Sequence, residues 1–233
     1  MGAPRKAVPS SVLRGMFRSA IVKDRGAPAG GAGQRLRFIV ASQGNAGVQS
    51  YGRTARLLHW LMAGLVAVQV TAGLVMVYAP PPPNLLGRLA DALGLYSVHK
   101  VLGLTLLALA LIRIAYRILH GAPPEEPTLA VWQHETSWLV HAWLYLALIV
   151  VPILGWVGIS LYPAVVVFDR FTLPSLTAPD QAKSVAVFAA HAIAAFTLIA
   201  LVAMHVGAAL YHHFIRGDGV LRRMLPGLRP RGH

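Results

Sequence analysis

The chain has 233 residues, of which 56% are hydrophobic and 12% charged, with 21 Lys+Arg against 8 Asp+Glu and no cysteine. That is too little charge to coat a soluble domain of this length, and it favours a small helical bundle in a membrane. The absent thiol excludes a disulfide framework, iron–sulfur clusters held by thiolates and prosthetic groups tethered through cysteine.

Residues 1–50 form a basic, low-complexity tail. "GAPAGGAGQ" is built for flexibility, and "SSVLRGMFRSAIVK" is Ser/Arg-rich and acid-poor, as organelle transit peptides are. The tail lacks the apolar core of a secretory signal. It is read as a solvated, disordered tail or as the product of a translation start placed too early, and no chemistry is assigned to it.

A spanning helix needs about 20 mostly apolar residues. Four segments qualify: Leu57–Ala79, Leu95–Leu119, Trp138–Leu161 and Val185–Ile215. Pro80–Pro83 stop the first, because proline cannot continue a helix. In the second, Arg113 and Arg117 are expected to snorkel toward a headgroup layer. In the third, Pro152 is a kink site, and Trp138, Trp143 and Tyr162 suit the interfaces. The expected fold is an all-α, four-helix transmembrane bundle over residues 51–225, with a second basic tail at 226–233.

The basic residues divide unevenly between the two sides of such a bundle. Seventeen fall on the side of the two termini, and four (Arg88, Lys100, Arg170 and Lys183) on the other. The positive-inside rule then places both termini in the cytoplasm. Topology accounts for the positive charge, so no nucleic-acid partner is expected.

Five histidines lie inside the apolar spans: His59, His99, His141, His191 and His205. A titratable ring in lipid is costly and marks function. A neutral ring that merely hydrogen-bonds across the bundle explains one such residue, but not five so placed. His191 and His205 are 14 residues apart. That spacing is about 40° short of four full turns, so they share a face about 21 Å apart along the axis. Chain direction sets depth. His99 and His191 fall near the outer side, and His59 and His205 near the inner side.

Two imidazoles facing across a bundle suit the two axial positions of haem iron. Such a site leaves no position open for oxygen and points to electron transfer. Gly103, one turn after His99, and Ala192, Ala195, Gly207 and Ala208 on the fourth span would leave room for a flat macrocycle. His212 is seven residues after His205, on nearly the same face, and competes for the inner position. It adjoins His213 and Arg216 and reads as interfacial. His141 and Lys100 are candidates for contacts to haem propionates, with His141 alternatively a proton-handling or plain interfacial group. His120 and His134 are placed in a solvated loop. Metal transport would want carboxylates among the histidines, and the four segments hold no Asp or Glu. Neither a nucleophile elbow, a zinc-protease helix nor a phosphate-binding loop occurs.

"RLLHWLMAGLV", "YSVHKVLGLTLLALALIRIAYR", "HAWLYLALIVVPILGW" and the fourth span with His191 and His205 resemble the bacterial cytochrome b561 family. This is a four-helix di-haem group related to the cytochrome b subunits of hydrogenases. The resemblance covers about Tyr51 to Leu225. It implies two non-covalent b-type haems held by His59, His99, His191 and His205, with His205 preferred over His212. It also implies a location in the plasma (inner) membrane and electron exchange with quinone. Family members include superoxide:ubiquinone oxidoreductases and membrane anchors of dehydrogenases or hydrogenases. The expected partners are therefore membrane lipid, quinone and either superoxide or a redox subunit.

Overall fold

A computed structural model describes residues 50–78, 87–88, 92–124, 126 and 128–228. The expectations for residues 1–49 and for most of the 226–233 tail lie outside these. The long elements are α1 (Arg53–Tyr78), α2 (Leu95–His120), α3 (Val131–Leu161) and α4 (Gln181–Tyr211). A short hairpin of β1 (Val166–Val167) and β2 (Phe171–Thr172) joins α3 to α4. Among the described residues, four helices are long and apolar enough to cross a membrane. The fold is therefore the expected all-α bundle of membrane spans.

The helices start and stop where local chemistry dictates. Gly94 opens α2 in a left-handed conformation (φ 56°), which glycine adopts without penalty. Asp180 caps α4 by accepting the Lys183 backbone N–H at 3.1 Å. Lys183 also reaches the Asp180 carboxylate at 2.7 Å. That cap starts α4 four residues before the apolar run.

The third span corrects the sequence reading. α3 begins at Val131, two turns before Trp138, because the Gln133 side chain accepts the Ala130 N–H at 3.0 Å and closes the helix end. His134 therefore sits on a helix rather than in a loop, and Glu135 rides on these extra turns. His120 is the last residue of α2, stacked on Tyr116 with centroids 4.1 Å apart. At about 1.5 Å per residue, the 31 residues of α3 extend some 46 Å, so its polar first turns lie beyond a hydrocarbon layer of about 30 Å.

α3 packs along α4, α1 along α2 and α2 along α3. The α3–α4 contact is close because Gly158 lacks a side chain. A Cβ there would lie 2.6 Å from the Phe188 ring. α4 stands off from α1 and α2, whose histidines it faces. Buried positions include Met62 and Ala72 on α1, Leu106 and Ala110 on α2 and Leu198 on α4. Large apolar side chains such as Val68, Leu111, Leu146 and Ile193 point outward, as lipid-facing residues do.

After α4 the chain makes a π-helical turn (His212–Arg216) and reverses at Gly217 (φ 65°). The next residues fold back under the bundle. Arg223 is buried, donates to the carbonyls of Pro123 and Pro124, and lies over the Tyr51 ring. Tyr51 N–H donates to Arg223 O (3.1 Å) and Trp60 Nε1–H to Met224 O (3.1 Å).

Candidate functional site

Each end of the bundle assembles one cluster, and all four helices contribute to both. At the hairpin end, His99 of α2 faces His191 of α4, with ring centroids 6.3 Å apart and planes at 79°. At the end of the termini, His59 of α1 faces His205 of α4 at 6.2 Å and 72°. These are the two pairs that chain direction and depth predict.

The hairpin-end rings rest on glycines of the other two helices. A Cβ on Gly73 of α1 would come within 3.2 Å of His99 Cε1. A Cβ on Gly155 of α3 would come within 3.2 Å of His191 Cε1 and 3.3 Å of its Nδ1. One turn before Gly155, the Val151 carbonyl lies 2.9 Å from His191 Nδ1. A proton on Nδ1 donates to that carbonyl, which fixes the tautomer and leaves Nε2 as the free nitrogen. Gln69, one turn before Gly73, donates from Nε2 to the His99 carbonyl at 3.0 Å. Both Gln69 Oε1 and His99 Nδ1 are buried without a hydrogen-bond partner.

At the other end a third ring joins. His141 of α3 lies 5.1 Å from His205, centroid to centroid. Its Nδ1 is 2.6 Å from Ser137 O, again leaving Nε2 free. Arg113 of α2 does not snorkel outward. It turns into the bundle, donating to Tyr145 Oη at 3.2 Å and Ala55 O at 3.0 Å, close enough to act electrostatically on His59 and His205. Arg117, His141, Tyr145, Trp138 and Ile114 line a cavity of about 260 Å³ beside this cluster.

Other predicted residues are engaged elsewhere. His212 Nδ1 is 2.6 Å from the buried Asp218 carboxylate, which holds that ring at the turn after α4. Lys100 Nζ donates to Ala164 O (2.7 Å) and Val166 O (2.9 Å) in the α3–α4 connection. Gly103 makes room for Gln69, since a Cβ there would lie 3.3 Å from Gln69 Nε2. Sequence reasoning missed Gly73, Gly155, Val151 and Gln69. All four lie on the two helices that carry no hairpin-end histidine, so spacing from a histidine did not reach them.

The family described as prokaryotic cytochrome b561 matches residues 50–227, more than three quarters of the chain. The chain belongs to the prokaryotic cytochrome b561 family. Among similar proteins is cytochrome b561 homolog 2 of Escherichia coli, 29% identical over 182 residues, covering 76% of this chain and 92% of that protein. Cytochrome b561 homolog 1 of the same organism is 25% identical over 176 residues, covering 76% and 97%. Cytochrome b562 of Cereibacter sphaeroides is 28% identical over 185 residues, covering 78% and 96%. A b561-family membrane protein carries haem b and takes part in electron transfer, and the four spans make this member multi-pass.

The ring geometry accommodates that group. Two metal–imidazole bonds of about 2.0–2.1 Å, plus about 1.1 Å from each nitrogen to its ring centre, span about 6.3 Å. The observed 6.2 and 6.3 Å match this span, whereas the neighbouring contact of His141 with His205 is tighter at 5.1 Å.

Proposed function

We propose that this protein is a di-haem b-type cytochrome that relays electrons across the membrane and exchanges them with quinone at the end of the termini. His99 and His191 would hold one haem and His59 and His205 the other. The observation that carries this reading is the pair of facing rings at 6.2 and 6.3 Å, one pair at each end of a single bundle. When bound, the haems supply one-electron chemistry at iron.

The chain's own groups do the rest. Each histidine pair would supply two ring nitrogens to its haem and leave no open ligand site, which would restrict the chemistry to electron transfer. The Val151 carbonyl orients His191 and fixes its tautomer. Arg113 supplies fixed positive charge near the His59–His205 pair, and His141 offers a free Nε2 toward the same site as a propionate contact. The cavity beside His141 and Arg117 combines apolar walls with polar groups, as a quinone headgroup requires. Lys100 is tied to backbone carbonyls, which favours an anchoring role over a propionate contact or the steering of superoxide. The uneven basic charge supports cytoplasmic termini in the inner membrane, which would put the quinone end inside.

Haem extraction and a redox-titrated spectrum of the purified protein test this. Two low-spin b haems per chain are expected. Alanine at His59, His99, His191 or His205 should each remove one or convert it to high spin. His212→Ala should keep both. One haem per chain, or a His205→Ala variant that keeps what His212→Ala loses, overturns the assignment.

A further inference from the structure

The connection from α3 to α4 runs from Tyr162 to Asp180, nineteen residues. It carries its own hairpin, β1–β2, and is an ordered connection rather than a bare linker. This one is fastened on two sides. Toward α3, Trp156 Nε1 donates to Pro174 O at 2.9 Å, Leu176 N donates to Ser160 Oγ at 3.1 Å, and Asp180 N donates to Leu161 O at 3.0 Å. Toward α2, Lys100 Nζ donates to Ala164 O and Val166 O, and Phe168 N donates to Ser97 Oγ at 2.9 Å.

The hairpin turn needs that support. Phe168 and Asp169 both have positive φ, 50° and 53°. They are the first two residues of a three-residue loop, 168–170, between the paired Val167 and Phe171, and such left-handed pairs are ordinarily Asn-Gly or Asp-Gly, because other residues seldom occupy that region. No local preference of Phe-Asp explains the conformation. The Phe168 ring instead sits on Gly94, where a Cβ would lie 3.5 Å away, and its N–H is taken by Ser97.

The fastening points surround one site. Ser97 and Lys100 flank His99 in the first turns of α2. Trp156 and Ser160 lie just beyond Gly155, which seats His191. We propose that Lys100 is a latch that holds the α3–α4 connection as a fixed cover over the His99–His191 site, and that this cover limits the size of the electron donor that reaches it. The donor half rests on the reading of that pair as a redox site; the latch stands on the hydrogen bonds alone.

The test uses the full-length, haem-loaded protein in nanodiscs, with Lys100→Met, Ser97→Ala and Lys100→Arg variants. Hydrogen exchange is followed at the Phe168, Arg170 and Leu173 amides. Haem reduction is timed with dithionite, a small donor, and with a reduced soluble c-type cytochrome, a bulky one. Loss of the charged donor should speed exchange at these amides about tenfold or more, with both low-spin spectra kept. Ser97→Ala should act the same way but less, and Lys100→Arg should protect as Lys does. Reduction by the bulky donor should accelerate several-fold relative to dithionite. Unchanged exchange overturns the latch. So does a Lys100→Met shift in haem potential without faster exchange, which would mean that Lys100 acts on the haem itself. Faster exchange with an unchanged ratio of the two donors overturns the size limit. A wrong haem count would sink the electron-relay reading separately, with exchange still deciding the latch.

Discussion

Replacing Gly155 with alanine sets two effects against each other. In an undemanding mid-helix position, Gly→Ala stabilises by roughly 0.5–1 kcal/mol, because alanine restricts the unfolded chain and fits the helix. Here the added methyl would meet His191 Cε1 at 3.2 Å and Nδ1 at 3.3 Å. Carbon atoms in good contact lie about 3.5–4.0 Å apart, so the ring must retreat by about 0.3–0.5 Å. It is poorly free to do so, since the 2.9 Å bond to Val151 O holds it from one side and the opposing His99 ring bounds the other. Overpacking of this kind costs about 1–3 kcal/mol, which outweighs the helix gain. Gly155→Ala should therefore lower haem occupancy at the hairpin end, broaden its low-spin band and reduce thermal stability. Gly73→Ala meets His99 Cε1 at the same 3.2 Å, but His99 Nδ1 has no hydrogen bond holding it, so the ring can rotate and the effect should be smaller. Gly64→Ala, at an exposed position of α1 with nothing within 4 Å, is the control and should be neutral or stabilising. Haem-to-protein ratio, optical spectrum and melting temperature across the three variants give the assay. A Gly155→Ala protein as stable and as fully loaded as Gly64→Ala would refute the claim that glycine seats the histidine.

Two further predictions address charge. Arg113→Leu should shift the midpoint of the haem near the termini to more negative values by tens of millivolts, because a nearby cation favours the reduced state. It should also lower the melting temperature, since Tyr145 loses the charged partner that Arg113 provides; a potentiometric titration with an unmoved midpoint would remove Arg113 from the site. For topology, a reporter active only in the periplasm should be silent after His233 and active within the 173–180 loop, and the reverse pattern would exchange the inner and outer sites.

Most of the bundle was legible because lipid imposes one simple demand: long apolar runs with every backbone group bonded internally. Helix bounds departed where polar chemistry, not hydropathy, decided them. Gln133 extended α3 backward over a polar stretch, and Asp180 did the same for α4. The histidine pairs were legible because 14 residues on a helix fix both face and depth. What surrounds them was not. Arg113 reads as a snorkelling residue until the positions of Ala55 and Tyr145 are known, since they come from other helices. Lys100 reads as a free cation beside a ligand until a hairpin 64 and 66 residues away delivers two carbonyls to it. Gly73 and Gly155 look like any small residues at helix contacts, and only the geometry shows which glycine faces a ring.

The fold-back after α4 bears on the order in which the molecule is made. Tyr51 and Trp60 stand at the start of the first span, yet they donate to carbonyls of Arg223 and Met224, beyond the last. Synthesis proceeds from the N-terminus at about 5–20 residues per second. The first helix thus waits several seconds, through three more insertions, for partners that do not yet exist. Over that interval the His59 end of the bundle remains unsealed while the opposite end, whose fastenings run from Ser97 to Asp180, is already within the chain that has emerged. The contacts that join the two ends of the chain at the His59–His205 side are thus the last for which synthesis supplies both partners.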